Sequence, residues 1–148
     1  VGALDRFPNS SRLWQNRGAL FTKWWKYDGA IAFFLRALER EPNARGPLFD
    51  LALVYDHADS YAEAVKWYRK AADQGYAEAQ FNLGLAYRMG KGIPQNYIHA
   101  HMWFNLAASN AAGKARDKAV GSLNFAISEM TSQQIAEAQK LASEWKPK

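Results

Sequence analysis

The feature that most constrains this chain is an internal repeat. Its copies lie 34 residues apart between Tyr27 and Tyr61 and 36 residues apart between Tyr61 and Tyr97. Alanines and aromatic pairs recur with the same spacing: Ala30, Ala64, Ala100; Phe33-Phe34, Trp67-Tyr68, Trp103-Phe104; Ala37, Ala71, Ala107. Each copy is long enough for two short amphipathic helices joined by a turn. Because a single helical hairpin cannot bury its apolar face, the copies must stack and share one continuous core.

The first helix of each predicted hairpin carries a small residue that is followed three positions later by an aromatic one. These pairs are Gly18 and Phe21, Ala52 and Tyr55, Gly84 and Tyr87. A small residue allows two helix axes to approach closely, and a neighbouring aromatic ring fills the space beside the contact. The sequence therefore predicts an all-α chain of stacked hairpins.

Residues 11–44 resemble a tetratricopeptide repeat (TPR). The small, aromatic and terminating positions of that family are held by Trp14, Gly18, Phe21, Ala30, Phe34, Ala37 and Pro42. Arg17 departs from the pattern, since the family usually has an aliphatic residue there. From Tyr61 onward the chain resembles the Sel-one-like repeat (SLR), a relative of the TPR with a longer loop between its helices. The resemblance rests on residues 62–75, 77–80, 82–84 and 90–97.

The two resemblances imply a right-handed α-solenoid of TPR/SLR-type hairpins with a C-terminal capping hairpin. We expect a single domain over residues 1–148 with eight helices. Its hairpins would cover about 11–44, 45–76 and 77–110, and the capping hairpin about 111–146. Thr131 and Gln134 have the spacing of a capping box, which predicts the start of the last helix.

The loop over residues 90–96 has its own local signals. Gly90 can take the left-handed conformation that ends a helix, and Pro94 prevents an early restart. Asn96 is a favourable N-cap for the helix that follows.

The charge pattern argues against a nucleic-acid binder. The net charge is +5, but an acidic middle third separates two basic ends, with seven Asp/Glu against four Lys/Arg in residues 41–80. A nucleic-acid binder more often gathers positive charge on one face. Binding of DNA or RNA through the basic end patches remains a less favoured alternative, and it would show steep salt dependence.

The composition leaves the compartment open. The chain has no cysteine, so disulfides and Cys-based zinc sites are excluded. No apolar run approaches the roughly 20 residues of a membrane span, and residues 1–6 do not read as a signal peptide. The chain begins with Val1, so loss of a leader or lipid anchor stays possible, and a bacterial cytoplasm and periplasm both fit.

Two motifs suggest chemistry and are better explained by architecture. His99 and His101 are two residues apart, so a helix points them in different directions and they cannot share a metal ion. The Gly-Lys-Gly run at 90–92 lacks the spacing, the following Ser/Thr and the preceding strand of a phosphate loop. We expect no cofactor, no metal, no small-molecule substrate and no enzymatic activity.

The function that we expect is a non-enzymatic scaffold or adaptor that binds a peptide or protein segment. In TPR-like solenoids the first helices line the concave face, which makes that face the candidate groove. Its candidate partner-binding residues are Arg12, Gln15, Lys23, Phe49, Leu53, Asp56, His57, Phe81, Leu85, Arg88 and Met89, with Glu78 on the same helix. Coverage of this face by the tail or by neighbouring helices is an equal alternative.

Three further interpretations concern other parts of the surface. Lys114, Arg116 and Lys118 form a basic cluster that fits either a solvated face or a contact with an acidic partner. Trp24-Trp25 could anchor a partner or pack on the N-terminal lead-in. An alternative function is a regulatory or structural subunit of a bacterial envelope or secretion assembly that uses the convex face or the Trp24-Trp25 edge. A TPR clamp for a terminal carboxylate is disfavoured because Gln15 and Ala19 occupy its key positions.

Overall fold

The structure, a computed structural model, describes residues 27–148. This part of the chain forms seven α-helices and no strand. They are α1 (Tyr27–Arg40), α2 (Arg45–His57), α3 (Tyr61–Asp73), α4 (Ala77–Met89), α5 (Tyr97–Asn110), α6 (Gly113–Ser128) and α7 (Ser132–Glu144). The helix predicted near residues 12–24, with Arg12, Gln15, Lys23 and Trp24-Trp25, lies outside the described residues. The expected domain over 1–148 therefore stays a prediction.

From α1 to α6, each helix packs against the next one along the chain. The repeat explains this stack, because the second helix of every copy carries the motif Ala-x-x-x-aromatic-x-x-Ala. All nine motif side chains are at most 3% exposed: Ala30, Phe34, Ala37; Ala64, Tyr68, Ala71; Ala100, Phe104, Ala107. The stacked all-α solenoid predicted from the repeat is confirmed.

The packing of α4 against α5 requires a glycine. A methyl group on Gly84 would lie 2.7 Å from two ring carbons of Phe104. Real Cβ atoms do not approach so closely, so the absence of a side chain at Gly84 lets the two helices come together over the aromatic ring.

The loop between α4 and α5 follows its local signals. Gly90 ends α4 in the left-handed conformation, with φ 69°, and the Asn96 side chain accepts a hydrogen bond from the backbone N–H of His99 at 3.0 Å. Gly92 also has positive φ, and a Cβ there would lie 2.4 Å from the carbonyl of Tyr61. The loop is therefore pressed against the start of α3 in the preceding hairpin.

The last two helices depart from a regular hairpin. Both α6 and α7 pack on α5, and α6 and α7 scarcely contact each other. On α7, Ala138 is fully buried, and the Trp145 ring that follows lies 6.1 Å from that of Trp103. Thr131 forms the predicted capping box with Gln134. Helices α6 and α7 both cover α5, as a cap would. They do not pack on each other because α7 lacks the Ala-x-x-x-aromatic-x-x-Ala motif that the other second helices carry.

Candidate functional site

The candidate site is a groove on the face formed by the first helices α2, α4 and α6. It encloses a cavity of about 320 Å³. We call it the alanine-lined groove, and its lining residues are Phe49, Ala77, Glu78, Phe81, Asn82, Ala107, Ala111, Ala115, Lys118 and Ala119. The small side chains come from α4, the end of α5 and α6, and they leave room between helices that would otherwise close on one another.

Two cation–π contacts bridge α4 and α6, one between residues that line the groove and one between residues outside its lining. The Lys118 Nζ atom lies 5.0 Å from the centre of the Phe81 ring, and the Arg88 guanidinium carbon lies 5.0 Å from the centre of the Phe125 ring. In the first pair α6 supplies the cation, and in the second α4 supplies it. Exposed contacts of this kind contribute about 0.5–1 kcal/mol, so the two bridges are weak.

The aromatic side chains differ in how firmly they are held. The Phe81 ring is half-buried and lies 5.7 Å from that of Phe104 in the core. Phe125 is 50% exposed. Phe81 therefore lines the groove and is fixed to the core, whereas Phe125 lies outside the groove lining and remains open to solvent.

A smaller cavity of about 110 Å³ adjoins the groove through Asn82, which lines both. We call it the tyrosine pocket. Its lining residues are Asp56, Tyr61, Ala64, Val65, Tyr68, Asn82, Leu85, Ala86, Met89 and Lys91. The Tyr68 hydroxyl donates a hydrogen bond to Asp56 Oδ2 at 2.9 Å. Burial, and next the negative charge of Asp56, raise the pKa of Tyr68, so this phenol stays protonated.

The structure brings together part of the predicted binding set. Phe49, Glu78 and Phe81 line the alanine-lined groove, while Asp56, Leu85 and Met89 line the tyrosine pocket. Leu53 and His57 line neither cavity, and Arg88 approaches the groove only through Phe125. Arg12, Gln15 and Lys23 lie outside the described residues.

Phe49, a candidate partner-binding residue, lines the groove but does not face solvent. Its side chain is only 8% exposed, and its ring meets that of Tyr76 edge-on at 5.2 Å. Packing against α3 and the start of α4 makes Phe49 the floor of the groove. Met89, by contrast, is 49% exposed, as expected of a residue at an open surface.

Sequence reasoning missed the wall that α6 contributes. Lys118 was assigned only to a basic cluster, and Phe125 was not singled out. A signal was present, because Lys118, Gly121 and Phe125 each follow Phe81, Gly84 and Arg88 by 37 residues. Extending the repeat by one more copy would have placed α6 beside α4 on the same face.

The two histidines on α5 occupy separate surroundings. The His99 ring stacks on that of Tyr87 at 5.1 Å, and His101 is buried. Burial lowers the pKa of both imidazoles. Residues 27–148 contain no group of three or more His, Cys, Asp or Glu side chains that could hold a metal ion. Among these residues no helix is long and apolar enough to cross a membrane.

Family comparisons agree with the repeat architecture. The Sel1 repeat model matches residues 56–76 and 77–111, and a tetratricopeptide repeat model matches residues 11–44. These segments of the chain are similar to Sel1 and tetratricopeptide repeats. Proteins with such repeats generally mediate protein–protein interactions and generally have no enzymatic activity. The repeats thus imply protein partners.

Curated relatives match only a segment. The chain is 41% identical over 56 residues to "Chitin synthase regulator SKT5" of Saccharomyces cerevisiae, which is 38% of this chain and 8% of that protein. It is 42% identical over 40 residues to "DAP3-binding cell death enhancer 1" of Rattus norvegicus, which is 27% of this chain and 8% of the relative. The matches therefore cover a small fraction of both relatives.

Solved structures share the fold. One is a protective antigen of uropathogenic Escherichia coli strains described as displaying an SLR fold. It has a TM-score of 0.80 and 24% identity, over 92% of this chain and 30% of the antigen. A Sel1 repeat protein from Oxalobacter formigenes has a TM-score of 0.63 and 24% identity, over 93% of this chain and 64% of that protein.

Proposed function

We propose that this protein is a non-enzymatic adaptor that binds a peptide or protein segment in the alanine-lined groove. The observation that carries the proposal is the cavity of about 320 Å³ between three first helices, with Phe49 as its floor and Phe81 and Lys118 at its wall. An apolar groove with a few polar groups at its edge suits a segment that inserts apolar side chains.

Similarity to Sel1 and tetratricopeptide repeats supports the same proposal. The printed names of two relatives describe one protein that regulates an enzyme and one that binds another protein. Both names concern proteins far longer than the matched segments, so neither partner is transferred to this chain. What is carried over is the general use of such repeats as protein-binding surfaces.

The test is partner capture by the folded protein. A Phe81→Ala/Arg88→Ala double variant removes the core-anchored ring of the groove and the cation two helical turns along α4, outside the groove lining. We expect recovery of specific partners to fall about tenfold or more, because truncated anchor residues commonly cost more than 1 kcal/mol of binding.

The matched control is Lys66→Ala on α3. Lys66 is exposed and pairs with Glu63 at 3.1 Å, and it lines neither cavity. This control should capture the same partners as the wild type. Circular dichroism and thermal melting should show that all three proteins are folded. Capture by the folded double variant at the wild-type level would rule out the groove as the binding site.

A further inference from the structure

We infer that the segment bound in the alanine-lined groove is acidic as well as apolar. Its carboxylates would draw Lys118 and Arg88 away from the rings of Phe81 and Phe125, and its apolar side chains would then contact those ring faces. This inference rests on the proposed function and specifies the chemistry of the partner.

The two cation–π pairs have the same spacing on both helices. Phe81 and Arg88 are seven residues apart on α4, and Lys118 and Phe125 are seven residues apart on α6. Seven residues advance a helix by about 10.5 Å, two turns along its axis. The two cations therefore lie on different helices about two helical turns apart, Lys118 on α6 in the groove lining and Arg88 on α4 outside it.

The second observation is that neither cation, Lys118 nor Arg88, forms an ion pair within residues 27–148. Their contacts in this part of the chain are with aromatic faces. A carboxylate forms shorter and stronger contacts with a cation than a ring face does. An incoming acidic side chain can therefore displace each contact and free the ring.

The third observation is the charge around the groove. Lys114 and Arg116 are exposed on the same helix as Lys118, and α6 has no acidic residue in its first turn. Asp117 on this helix and Glu78 in the groove lining are the opposing charges. The wall formed by α6 remains net positive, which favours an approaching acidic segment and disfavours a basic one.

The spacing of the cations further specifies the ligand. Two acidic residues seven apart in a helical segment are about 10.5 Å apart along its axis. Two acidic residues three apart in an extended segment are separated by about 10 Å. Apolar or aromatic side chains between these residues would face the alanines and the released rings.

The experiment is a selection from a displayed library of random 16-residue peptides. The full chain is used in four forms: wild type, Lys118→Gln/Arg88→Gln, Phe81→Ala and the control Lys66→Gln. We expect peptides selected on the wild type to be enriched in Asp and Glu around aromatic or aliphatic residues. A synthetic consensus peptide should bind the Lys118→Gln/Arg88→Gln variant about tenfold or more weakly, as expected for loss of charge-assisted contacts.

The other outcomes distinguish the acidic assignment from the proposed binding function of the groove. Selected peptides that need Phe81 but are neutral or basic would overturn the acidic assignment and leave the proposed function standing. Acidic peptides that bind Phe81→Ala and Lys118→Gln/Arg88→Gln as well as the wild type would overturn both, as would a selection without enrichment. An unrelated single-stranded DNA oligomer that displaces the consensus peptide equally well at 150 mM salt would also overturn the assignment to a protein segment.

Discussion

Helices α4 and α6 are first helices in successive copies of the repeat, but their equivalent glycines pack differently. Gly84 on α4 lies against the Phe104 ring, at a distance that admits no side chain. Gly121 follows it by 37 residues on α6, and a Cβ there would meet nothing within 4 Å. The same small residue is therefore a packing contact in one helix and an open position in the other.

The surrounding positions show the same contrast. On α4, a face of five residues is buried: Ala79, Gln80, Leu83, Gly84 and Tyr87. On α6, the residues 37 positions later are all exposed: Arg116, Asp117, Val120, Gly121 and Asn124. Three of these five are polar or charged, which is what the end of a solenoid requires to stay in solution.

A small residue on a first helix is therefore not sufficient for a second helix to pack against it. Helices α1, α3 and α5 bring an aromatic side chain between two alanines, and that side chain fills the space beside the first helix. At the corresponding place on α7, 36 residues after Phe104, lies Lys140, which is exposed. Without an aromatic ring to bury against α6, α7 packs on α5 instead, with Leu141, Ala142 and the following Trp145 against the core.

The largest effect should follow from removing the aromatic residue of the regular hairpin. Phe104→Ala should destabilise the protein by about 3–5 kcal/mol, because it deletes a fully buried ring and leaves a cavity beside Gly84. The matched change Lys140→Ala on α7 should stay within about 0.5 kcal/mol, as is usual at exposed positions. Urea unfolding measures both. Equal effects would mean that α5 and α7 are held in the same way.

A second test adds volume at the same contact. Gly84→Ala places a methyl group 2.7 Å from the Phe104 ring carbons, so α4 and α5 must move apart. The expected loss is about 1–3 kcal/mol, the usual cost of overpacking a core. Thermal unfolding followed by circular dichroism would show it as a lowered midpoint. A neutral or stabilising result would contradict the close approach of α4 and α5.

A third test uses pH, because the covered helix α5 contains a buried histidine. Burial lowers the pKa of His101 below its ordinary value of 6.5. The unfolded chain therefore takes up the proton first. The free energy of unfolding is therefore unaffected by His101 titration above pH 6.5. It decreases as the pH falls below 6.5, until the folded-state pKa is reached.

His101→Gln should consequently show a shallower loss of stability between pH 7.5 and pH 5 than the wild type. Urea unfolding at several pH values gives the two slopes. Because His99 and the carboxylates are present in both proteins, the difference isolates His101. Parallel slopes would show that His101 titrates alike in the folded and unfolded chains.

The smallest effect is expected at the open glycine. Gly121→Ala should stabilise the protein by about 0.5–1 kcal/mol, since alanine is favoured over glycine inside a helix and the added methyl group meets no neighbour. The sign is opposite to that expected for Gly84→Ala, so the two variants form a direct contrast. A destabilised Gly121→Ala variant would indicate that α6 is covered at this position.

Much of the fold was predictable because its signals are local or periodic. The left-handed Gly90, the Asn96 cap and the Thr131 capping box each depend on a few neighbouring residues, and all three are present. The repeated alanines and aromatic residues predicted which face of each second helix is buried. The repeat pairs Gly84 with Tyr87 on the same helix, so the contact of Gly84 with Phe104 is known only from the structure.

The candidate site was predictable only in part. The resemblance to TPR-like solenoids places Phe81 and Met89 on the concave face, and they line the groove and the tyrosine pocket. The contacts of Phe81 with Lys118 and of Arg88 with Phe125 join residues 37 apart. They depend on where α6 comes to lie.

The sequence by itself determined that this chain is a stack of helical hairpins, because a 34- to 36-residue period leaves no other way to bury the apolar faces. Only the tertiary structure decided how the stack ends and which residues form the groove. Both outcomes depend on competition between helices for the same surface. The core of α5 offers α7 more apolar contact than α6 does, so α7 packs on α5, and α6 keeps the open wall that faces α4.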